Sequence, residues 1–494
     1  MKDTMTKNIL YNVLYKVINV SFPLITLSYV SHILNADGVG KVASAQNVVQ
    51  YFVILATLGI PEYGVREIAK RREGELKRNI LFTELIVINS ISTTIMGMFF
   101  YGMLLFVKDN CKEFVLYCVV GITIILNYIN VDWVYRGIEK YKYIAIRNLI
   151  IKLLSLGCIL GFVRDENDYV VYALICTVAI GGNNILNVFY LKKNDIKICV
   201  RDISLKKHYK PIFFLLATTI SIELYTLLDT TMLTYMCEDA SVGCYTVAMR
   251  IVKAVIGVIA AISGVLLPRL SKLYHEGKVT KCSELVNTAM ELLSFLFIPC
   301  GIGIVLLAPQ IIYVLFGTSF AAGIITLRIA AMLIYTLGLS NLFGTQILLS
   351  VDCEKKLLNA TVIGAISNVC MNIFLIPMWK QNGAAIASVI SEALVTVYTY
   401  REASKYININ IDIKKIGIEL VSSIIMGSII IFIGFWNDKE VVVLILSIGV
   451  GIVAYLLSNI ILCNPIIKKW FVGNGCKRNN ENHHASRRDT SGSN

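Results

Sequence analysis

Charged side chains are scarce in this sequence: 16% of the 494 residues are Asp, Glu, Lys or Arg, while 56% are hydrophobic. Soluble globular proteins carry roughly 25% charged residues. The chain also lacks a polar stretch long enough for a folded domain outside a membrane. Its apolar residues form blocks of about twenty, which is the length of a helix that crosses a hydrocarbon core of ~30 Å. These features exclude a soluble enzyme and predict an all-α polytopic membrane protein.

Motifs for catalysis and for direct use of ATP are missing as well. The sequence has no Walker P-loop, no HExxH pattern and no GxSxG pattern, which argues against ATP hydrolysis, metalloproteolysis and acyl transfer. It also has no arginine ladder of the kind that senses voltage. We therefore expect a transporter and not an enzyme.

The thirteen cysteines are scattered singly and form no CxxC pair. The spacing predicts neither a zinc site nor a disulfide framework, and no cofactor is expected. Cys237 and Cys244 flank one short loop, where two free thiols are favoured over a disulfide. His483 and His484 lie in a polar tail without an apolar period, so metal binding is not expected there.

Fourteen membrane-spanning helices are predicted from the apolar blocks. Their approximate bounds are 9–30, 42–62, 80–106, 112–132, 147–163, 169–190, 211–236, 243–268, 285–307, 320–348, 358–378, 383–400, 416–436 and 441–463.

Lysine and arginine are distributed unevenly between the two sides that these spans define. One side, which also holds both termini, carries 35 of the 46, the opposite loops carry six, and five lie inside spans. Cytoplasmic loops of membrane proteins are enriched in Lys and Arg, so both termini are predicted to be cytoplasmic. The net charge of +13 thus reports topology, and no nucleic acid is expected as a partner.

A faint internal repeat runs through the chain. A slide of 203 residues superposes Gly40 on Gly243 and Arg66 on Arg269. This order of matches predicts a parallel pseudo-repeat of two six-helix lobes. The predicted units are an N-terminal lobe (1–205), a C-terminal lobe (206–408), helices 13 and 14 (409–464) and a polar, disordered cytoplasmic tail (465–494).

Polar residues inside the predicted spans are the candidate functional residues, because each is costly in a bilayer unless it faces the bundle interior or a wet cavity. Span 1 carries polar residues on one face, span 7 does the same, and the 203-residue slide sets Asn47 and Gln50 opposite Arg250 and Lys253. We expect a central chamber lined by these groups. Its candidate cations are Lys16, Arg250, Lys253 and Arg328, and its candidate polar lining is Asn12, Asn19, Asn47, Gln50 and Thr226.

Three acidic residues inside the spans are candidates for ion coupling, and two of them also have a structural interpretation. Glu223, Asp229 and Glu392 could carry a coupling ion, H⁺ or Na⁺. Alternatively, Asp229 neutralises Arg250 or Arg328 in a structural ion pair, and Glu392 pairs with Arg328. At the predicted cytoplasmic side, Arg66, Arg136 and Arg147 could collect an anionic headgroup, although basic residues there are more often orientation signals.

Several short segments in a specific order resemble the bacterial polysaccharide exporters of the Wzx-type oligosaccharide flippase family. The segments are 22–31, 38–41, 58–67, 132–139, 243–248, 345–348 and 383–387, together with Glu392, and the match runs from about residue 8 to 400. The chain departs from the family pattern at Ser28, His32 and Asn35, where that pattern has proline, arginine and glycine.

The resemblance implies a fold similar to the multidrug and toxic-compound extrusion (MATE) class in a bacterial cytoplasmic membrane. It implies the translocation of undecaprenyl-diphosphate-linked oligosaccharide, such as an O-antigen or capsule repeat unit, from the cytoplasmic to the outer leaflet. A polysaccharide polymerase and chain-length machinery would then be partners. The alternative on the same fold is a cation-coupled drug antiporter, whose cavity should be acidic and aromatic, whereas the chamber expected here is basic.

Overall fold

A computed structural model describes most of the chain. The described residues are 2–70, 74–110, 112–200, 203–263, 266–410, 412–436 and 439–467. The side chains of residues 2–18, 20, 110, 218, 221–222, 224–226 and 258–263 lie outside this description.

The described residues form sixteen α-helices joined by short turns. They are α1 (Lys2–Thr57), α2 (Ile60–Lys70), α3 (Glu75–Phe106), α4 (Phe114–Ile125), α5 (Asp132–Gly137), α6 (Tyr141–Phe162), α7 (Tyr169–Leu191), α8 (Lys206–Met236), α9 (Asp239–Ser263), α10 (Leu266–His275), α11 (Val279–Phe316), α12 (Gly323–Ala330), α13 (Met332–Ser340), α14 (Glu354–Ala403), α15 (Ile413–Trp436) and α16 (Glu440–Ile461). A 3₁₀ turn, Leu126–Ile129, extends α4, and a π-helical segment, Asn341–Leu348, extends α13.

Two of these helices are each bent into two arms at one residue. In α1 the bend lies at Asn35 (φ 58°, ψ −177°), and in α14 it lies at Lys380 (φ 48°, ψ −129°). Such positive-φ conformations strain residues other than glycine by about 1–3 kcal/mol. The Wzx-type pattern has glycine at position 35, and glycine would adopt these backbone angles without strain. The departure from that pattern at Asn35 thus lies at the bend itself.

The predicted all-α membrane fold is confirmed, and its helices can be matched to the fourteen predicted crossings. Ten helical stretches of the described residues are long and apolar enough to cross a bilayer, and two of them, Ser21–Lys70 and Glu354–Ala403, contain two arms each. The remaining two crossings are the shorter Phe114–Ile129 and α8. We call the end of the bundle that carries segments 63–79, 133–147, 191–210 and 269–284 the basic end.

Some boundaries differ from the prediction for local reasons. The second crossing ends at Thr57, because Leu58 (φ 58°) and Gly59 (φ 80°) break the helix before the short amphipathic helix α2. The tenth crossing is not one uniform helix but consists of α12, α13 and the π-helical segment. The residue boundaries of the two lobes stay a prediction.

The second arm of α1 and the start of α9 touch through their backbones. A Cβ atom on Gly40 would lie 1.8 Å from the Asp239 carbonyl oxygen, and one on Gly243 would lie 2.1 Å from the Ala36 carbonyl oxygen. A shift of 203 residues relates Gly40 to Gly243 and Ala36 to Asp239, so the contact is quasi-symmetric. Small residues spaced four apart let membrane helices approach this closely. We call this contact the glycine seam; it joins the N-terminal half (α1–α7) to the C-terminal half (α8–α14) at the end opposite the basic end.

Adding a methyl group at the glycine seam should separate the two helices. We expect Gly40→Ala and Gly243→Ala each to destabilise the folded chain by about 1–3 kcal/mol, the usual cost of overpacking. The matched control is Gly97→Ala, because a Cβ at Gly97 meets no atom within 4 Å. Thermal unfolding of the purified chain in detergent measures the effect, and equal melting temperatures for all three variants would contradict the close contact.

Candidate functional site: a cationic cavity in the C-terminal half

A cavity of about 240 Å³ lies among α8, α9, α13 and the second arm of α14. It is lined by Asp229, Thr230, Tyr245, Thr246, Met249, Arg250, Lys253, Leu333, Leu337 and Ser388. The cavity therefore holds two cations, one acid and several hydroxyl groups.

Arg250 and Lys253 lie near the middle of α9, about 16 Å and about 21 Å along the axis from its first residue. Both side chains are exposed and line the cavity. Among the described residues, neither is within 4.0 Å of an acidic group, although Lys253 is in electrostatic range of Asp229 and Glu223. Arg250 also acts electrostatically on Tyr172 and Cys176 of α7, which places its guanidinium next to the N-terminal half. A cation inside a membrane span is costly unless it faces water or an anion, so the cavity has to supply one of these to both side chains.

Asp229 on α8 is bound by neutral donors and not by either cation. Its Oδ1 accepts hydrogen bonds from the amides of Asn368 (2.9 Å) and Asn372 (2.7 Å). Its Oδ2 accepts one from the Tyr245 hydroxyl (2.5 Å) and one from the Ser388 hydroxyl. The structural ion pair that the sequence left open for Asp229 is therefore not formed within 4.0 Å among the described residues. We call Asp229 and these four partners the Asp229 cage.

The cage contains one unpaired acceptor, the Asn372 Oδ1 atom, which is buried and has no hydrogen-bond partner among the described residues. Oxygen and nitrogen of an amide are assigned from the hydrogen-bond network. With both amides reversed, their oxygens would face the Asp229 carboxylate, and the cage would become a set of oxygen ligands suited to a small hard cation. Asn368 and Asn372 lie four residues apart, a spacing typical of hydrogen-bond partners between membrane helices. Tyr245 lies in the segment 243–248 that resembles the flippase family, and Ser388 has no signal in the sequence.

The predicted polar lining is only partly assembled around this cavity. Asn47 of α1 is buried and donates to the Thr231 hydroxyl of α8 (2.7 Å), which also bonds the Tyr51 hydroxyl (2.6 Å). Asn19 accepts hydrogen bonds from Asn148 (2.7 Å) and Lys152 (2.8 Å) of α6. These two side chains thus connect helices.

Of the four other predicted positions, only Gln50 has a described side chain, and it is not among the residues that line the cavity. Gln50 is half-buried on the second arm of α1. The side chains of Asn12, Lys16 and Thr226 lie outside the described residues, so their proposed roles stay predictions.

The structure does not bring Arg328 to the cavity. Its Nε donates to the Val305 carbonyl of α11 (3.2 Å). Pro309 lies four residues after Val305 and has no N–H to bond that carbonyl. In the same helix Pro299 frees the Phe295 carbonyl, which receives the Tyr455 hydroxyl of α16 (2.8 Å). Arg328 therefore has a structural contact that explains its position in a span.

The three arginines predicted to collect a headgroup differ in their availability. Arg66 of α2 is exposed and lies 3.7 Å from Glu67, and Arg136 of α5 is exposed and pairs with Asp132 (2.9 Å). Arg147 of α6 is only 6% exposed. Its guanidinium donates to Asp132 (3.0 Å) and to Asn183 (3.0 Å) and Asn187 of α7. Arg147 is thus committed to the packing of α5, α6 and α7 and does not present a free cation.

The remaining candidate acids lie apart from the cage. Glu392 on the second arm of α14 is buried and accepts a hydrogen bond from Ser340 of α13. Among the described residues, Arg328 donates to the Val305 carbonyl, and no ion pair within 4.0 Å joins it to Glu392. Glu223 lies on α8, half-buried, within electrostatic range of Lys253.

Cys237 and Cys244 are both free thiols, as was favoured from the sequence.

Sequence analysis missed a buried charged cluster at the basic end. The Glu84 carboxylate of α3 accepts hydrogen bonds from the Ser204 backbone N–H (2.7 Å), the Lys207 ammonium (2.7 Å) and His208 Nε2 (2.8 Å). The other ring nitrogen of His208 bonds the Tyr63 hydroxyl of α2 (2.8 Å). The cluster attaches the start of α8 to the N-terminal half. Only the acidic residue near a span end could have indicated it.

A second cavity, of about 560 Å³, is almost wholly apolar. It lies among α9, α11, α15 and α16, and the residues around it include Val255, Phe295, Pro299, Met426, Ile430 and Tyr455. Val255 lies two residues beyond Lys253 on α9. The bundle thus holds a polar, cationic cavity and an apolar one along the same helix.

Comparison with known proteins gives consistent matches over most of the chain. The profile of the family described as "Polysaccharide biosynthesis protein" matches residues 5–274. A curated "Putative O-antigen transporter" of Escherichia coli (strain K12) is 22% identical over 397 residues, which cover 80% of this chain and 95% of that protein.

Two solved structures are similar in fold. The lipid II flippase MurJ in an inward closed conformation aligns with a TM-score of 0.72 and 16% identity, over 94% of this chain and 99% of that one. A multidrug-resistance MATE family transporter in an inward-facing conformation aligns with a TM-score of 0.60 and 16% identity, over 81% and 95%. At these identities the similarity establishes a MATE-like fold.

The neighbouring arginines of the α5–α6 region provide a matched test of burial. Removal of one partner from a buried ion pair costs about 3–5 kcal/mol, whereas an exposed pair contributes about 0–1 kcal/mol. We therefore expect Arg147→Ala to lower the melting temperature strongly and Arg136→Ala to change it little. Thermal unfolding of the two purified variants checks this, and a similar small effect for both would mean that Arg147 is not committed to packing.

Proposed function

The chain belongs to the polysaccharide biosynthesis protein family, and we propose that it is a flippase for a lipid-linked oligosaccharide. The cargo is a saccharide repeat unit on undecaprenyl diphosphate, moved from the cytoplasmic to the outer leaflet of a bacterial cytoplasmic membrane. The basic end faces the cytoplasm, in agreement with the enrichment of cytoplasmic loops in Lys and Arg.

One observation carries this proposal: Arg250 and Lys253 face a cavity halfway across the bundle without an ion-paired acid within 4.0 Å among the described residues. The diphosphate is the part of such a lipid that is hardest to move through hydrocarbon, because a desolvated anion costs many kcal/mol. Two cations kept wet at mid-membrane offset that cost. Arginine in particular binds phosphate oxygens through two parallel N–H groups.

The rest of the cargo is matched by the surroundings of these cations. Hydroxyl groups of Thr230 and Thr246 line the same cavity and can hydrogen-bond a sugar. The apolar cavity that begins at Val255 is suited to part of an isoprenoid chain, while the remainder of the chain stays in the lipid. Rocking of the N-terminal half against the C-terminal half would expose the cationic cavity to each side in turn.

The charge of the cavity separates this function from a cation-coupled drug antiporter on the same fold. A drug cation would be repelled by Arg250 and Lys253, and the one acid of the cavity is held by four neutral donors. An anionic cargo is attracted by the same two cations. The cavity therefore favours the lipid-linked diphosphate.

We further propose that Asp229 carries the coupling ion, H⁺ or Na⁺. The cage shares Asp229, Tyr245 and Ser388 with the lining of the cationic cavity, so an ion bound there changes the electrostatic potential at Lys253. A proton or Na⁺ on Asp229 removes a negative charge beside the cations and strengthens their attraction for the diphosphate. When the ion leaves, the attraction of the cations for the diphosphate weakens. Binding of the ion and binding of the cargo are thereby coupled.

Neutral substitutions of the two cavity cations test the main proposal. We expect Arg250→Gln and Lys253→Gln each to lower translocation at least tenfold in proteoliposomes that contain undecaprenyl-diphosphate-linked oligosaccharide, because tenfold corresponds to about 1.4 kcal/mol of lost stabilisation. The melting temperature should change little. Arg164→Gln, which removes an exposed cation at the opposite end, is the control. Unchanged translocation in both cavity variants would exclude the cations from the transport path.

Substitution of Asp229 separates an ion site from a structural role. Asp229→Asn keeps the shape of the side chain and removes its charge. We expect translocation that no longer responds to an imposed H⁺ or Na⁺ gradient, measured in the same proteoliposomes. The control is Asp109→Asn, at an exposed turn. A lower melting temperature with gradient dependence retained would identify the cage as structural only.

A further inference from the structure

Helix α15 places one acid in the interior of the bundle, outside the cationic cavity. Glu419 lies about 9 Å along the helix from its first residue. It begins the buried face of α15, which continues with Ser422, Ser423, Met426 and Ile430. This face packs against α11 and α16, and the Glu419 side chain is 0% exposed.

Neither carboxyl oxygen of Glu419 has a hydrogen-bond partner among the described residues. The Ser294 hydroxyl of α11 lies beside the carboxyl, but it donates to the Met290 carbonyl of its own helix (3.0 Å). The Tyr455 hydroxyl of α16 donates to the Phe295 carbonyl (2.8 Å). The protons of these two hydroxyls are therefore directed to backbone carbonyls.

The charged neighbours do not compensate for an ionised carboxylate either. Lys415, one turn earlier on α15, pairs with Glu291 of α11 (2.5 Å) and with Asp412 (3.3 Å). Lys415 is the one cation in electrostatic range of Glu419 among the described residues. The remaining titratable groups near Glu419 are Tyr455 of α16 and Tyr335 of α13, and neither of these phenols supplies a positive charge.

We propose that Glu419 is a proton-binding site that holds α15 and α16 against α11. An ionised carboxylate without partners in a protein interior costs several kcal/mol. A protonated carboxyl avoids that cost. It can also donate a hydrogen bond to the Ser294 oxygen, which has a lone pair free because its own proton points to the backbone.

The surroundings of Glu419 offer access for a proton and connect loss of the proton to the packing of α15. A cavity of about 190 Å³ is lined by Glu291, Ser294, Lys415 and Ile416, which are neighbours of the carboxyl, and it would give a proton access to them. Lys415 and Glu419 are four residues apart and share a face of the helix. Loss of the proton would draw Lys415 from Glu291 towards Glu419 and weaken the contact between α15 and α11.

Infrared spectroscopy of the full chain in lipid nanodiscs tests the protonation state directly. At about pH 7, where an exposed glutamate is ionised, the difference spectrum of wild type minus Glu419→Gln should show the carbonyl-stretch band of one protonated carboxyl per chain. Glu276→Gln is the control, because Glu276, which directly follows α10, is paired with Lys278 (2.6 Å) and its difference spectrum should show a carboxylate band. A carboxylate band for Glu419→Gln overturns the proposal.

The pH dependence of stability tests the consequence of the site. The folded chain keeps its proton on Glu419 while the unfolded chain loses it, so rising pH should destabilise the wild type relative to Glu419→Gln. The two melting temperatures should agree at about pH 5 and separate by about pH 8, with the variant higher. A constant difference across this range contradicts the proposal. A stabilisation by Na⁺ that disappears in Glu419→Gln would also overturn it, because the ligand would then be sodium.

Discussion

The bilayer offers no water to polar groups, and this constraint organises the structure. Each charged group inside a span needs a partner from the chain, or else water, a proton or a ligand. Arg147, Arg328 and Glu84 find theirs in specific, directional hydrogen bonds. Arg250, Lys253 and Glu419 have no such partner within the described residues. The groups in the second set can persist only beside water, a proton or a ligand, and this is the reason that the proposed functions fall on them.

The apolar pattern was sufficient for the fold because helix length and hydrophobicity are local properties of the chain. The fourteen crossings followed from blocks of about twenty residues. The bends at Asn35 and Lys380 fall between predicted spans (9–30 and 42–62, 358–378 and 383–400), so the reversals of the chain were predicted. Their positive φ angles were not, since neither residue is glycine. The division of the tenth crossing into α12, α13 and a π-helical segment could not be predicted from the amino-acid composition of that stretch either.

The candidate site was harder to predict because burial and partners depend on contacts between distant segments. Arg250 and Arg328 look alike in the sequence, as single cations inside apolar blocks. They differ because a proline on another helix leaves the Val305 carbonyl free for Arg328. That distinction was accessible in principle, since Pro309 identifies the carbonyl without a donor. The Asp229 cage combines α8, α9 and both arms of α14, and only the four-residue spacing of Asn368 and Asn372 indicated part of it.

The two halves have diverged in charge while keeping one contact geometry. At the glycine seam the same positions, 203 residues apart, approach each other from both sides. Further along, the slide pairs Asn47 with Arg250, and here the symmetry ends. A neutral amide can be bound by a single hydroxyl of the next helix, as Asn47 is by Thr231 (2.7 Å). A guanidinium at the equivalent position cannot be compensated by hydroxyls alone, because its desolvation is far more costly. The proposed anion site thus lies where a quasi-symmetric scaffold carries cations in one of its two halves.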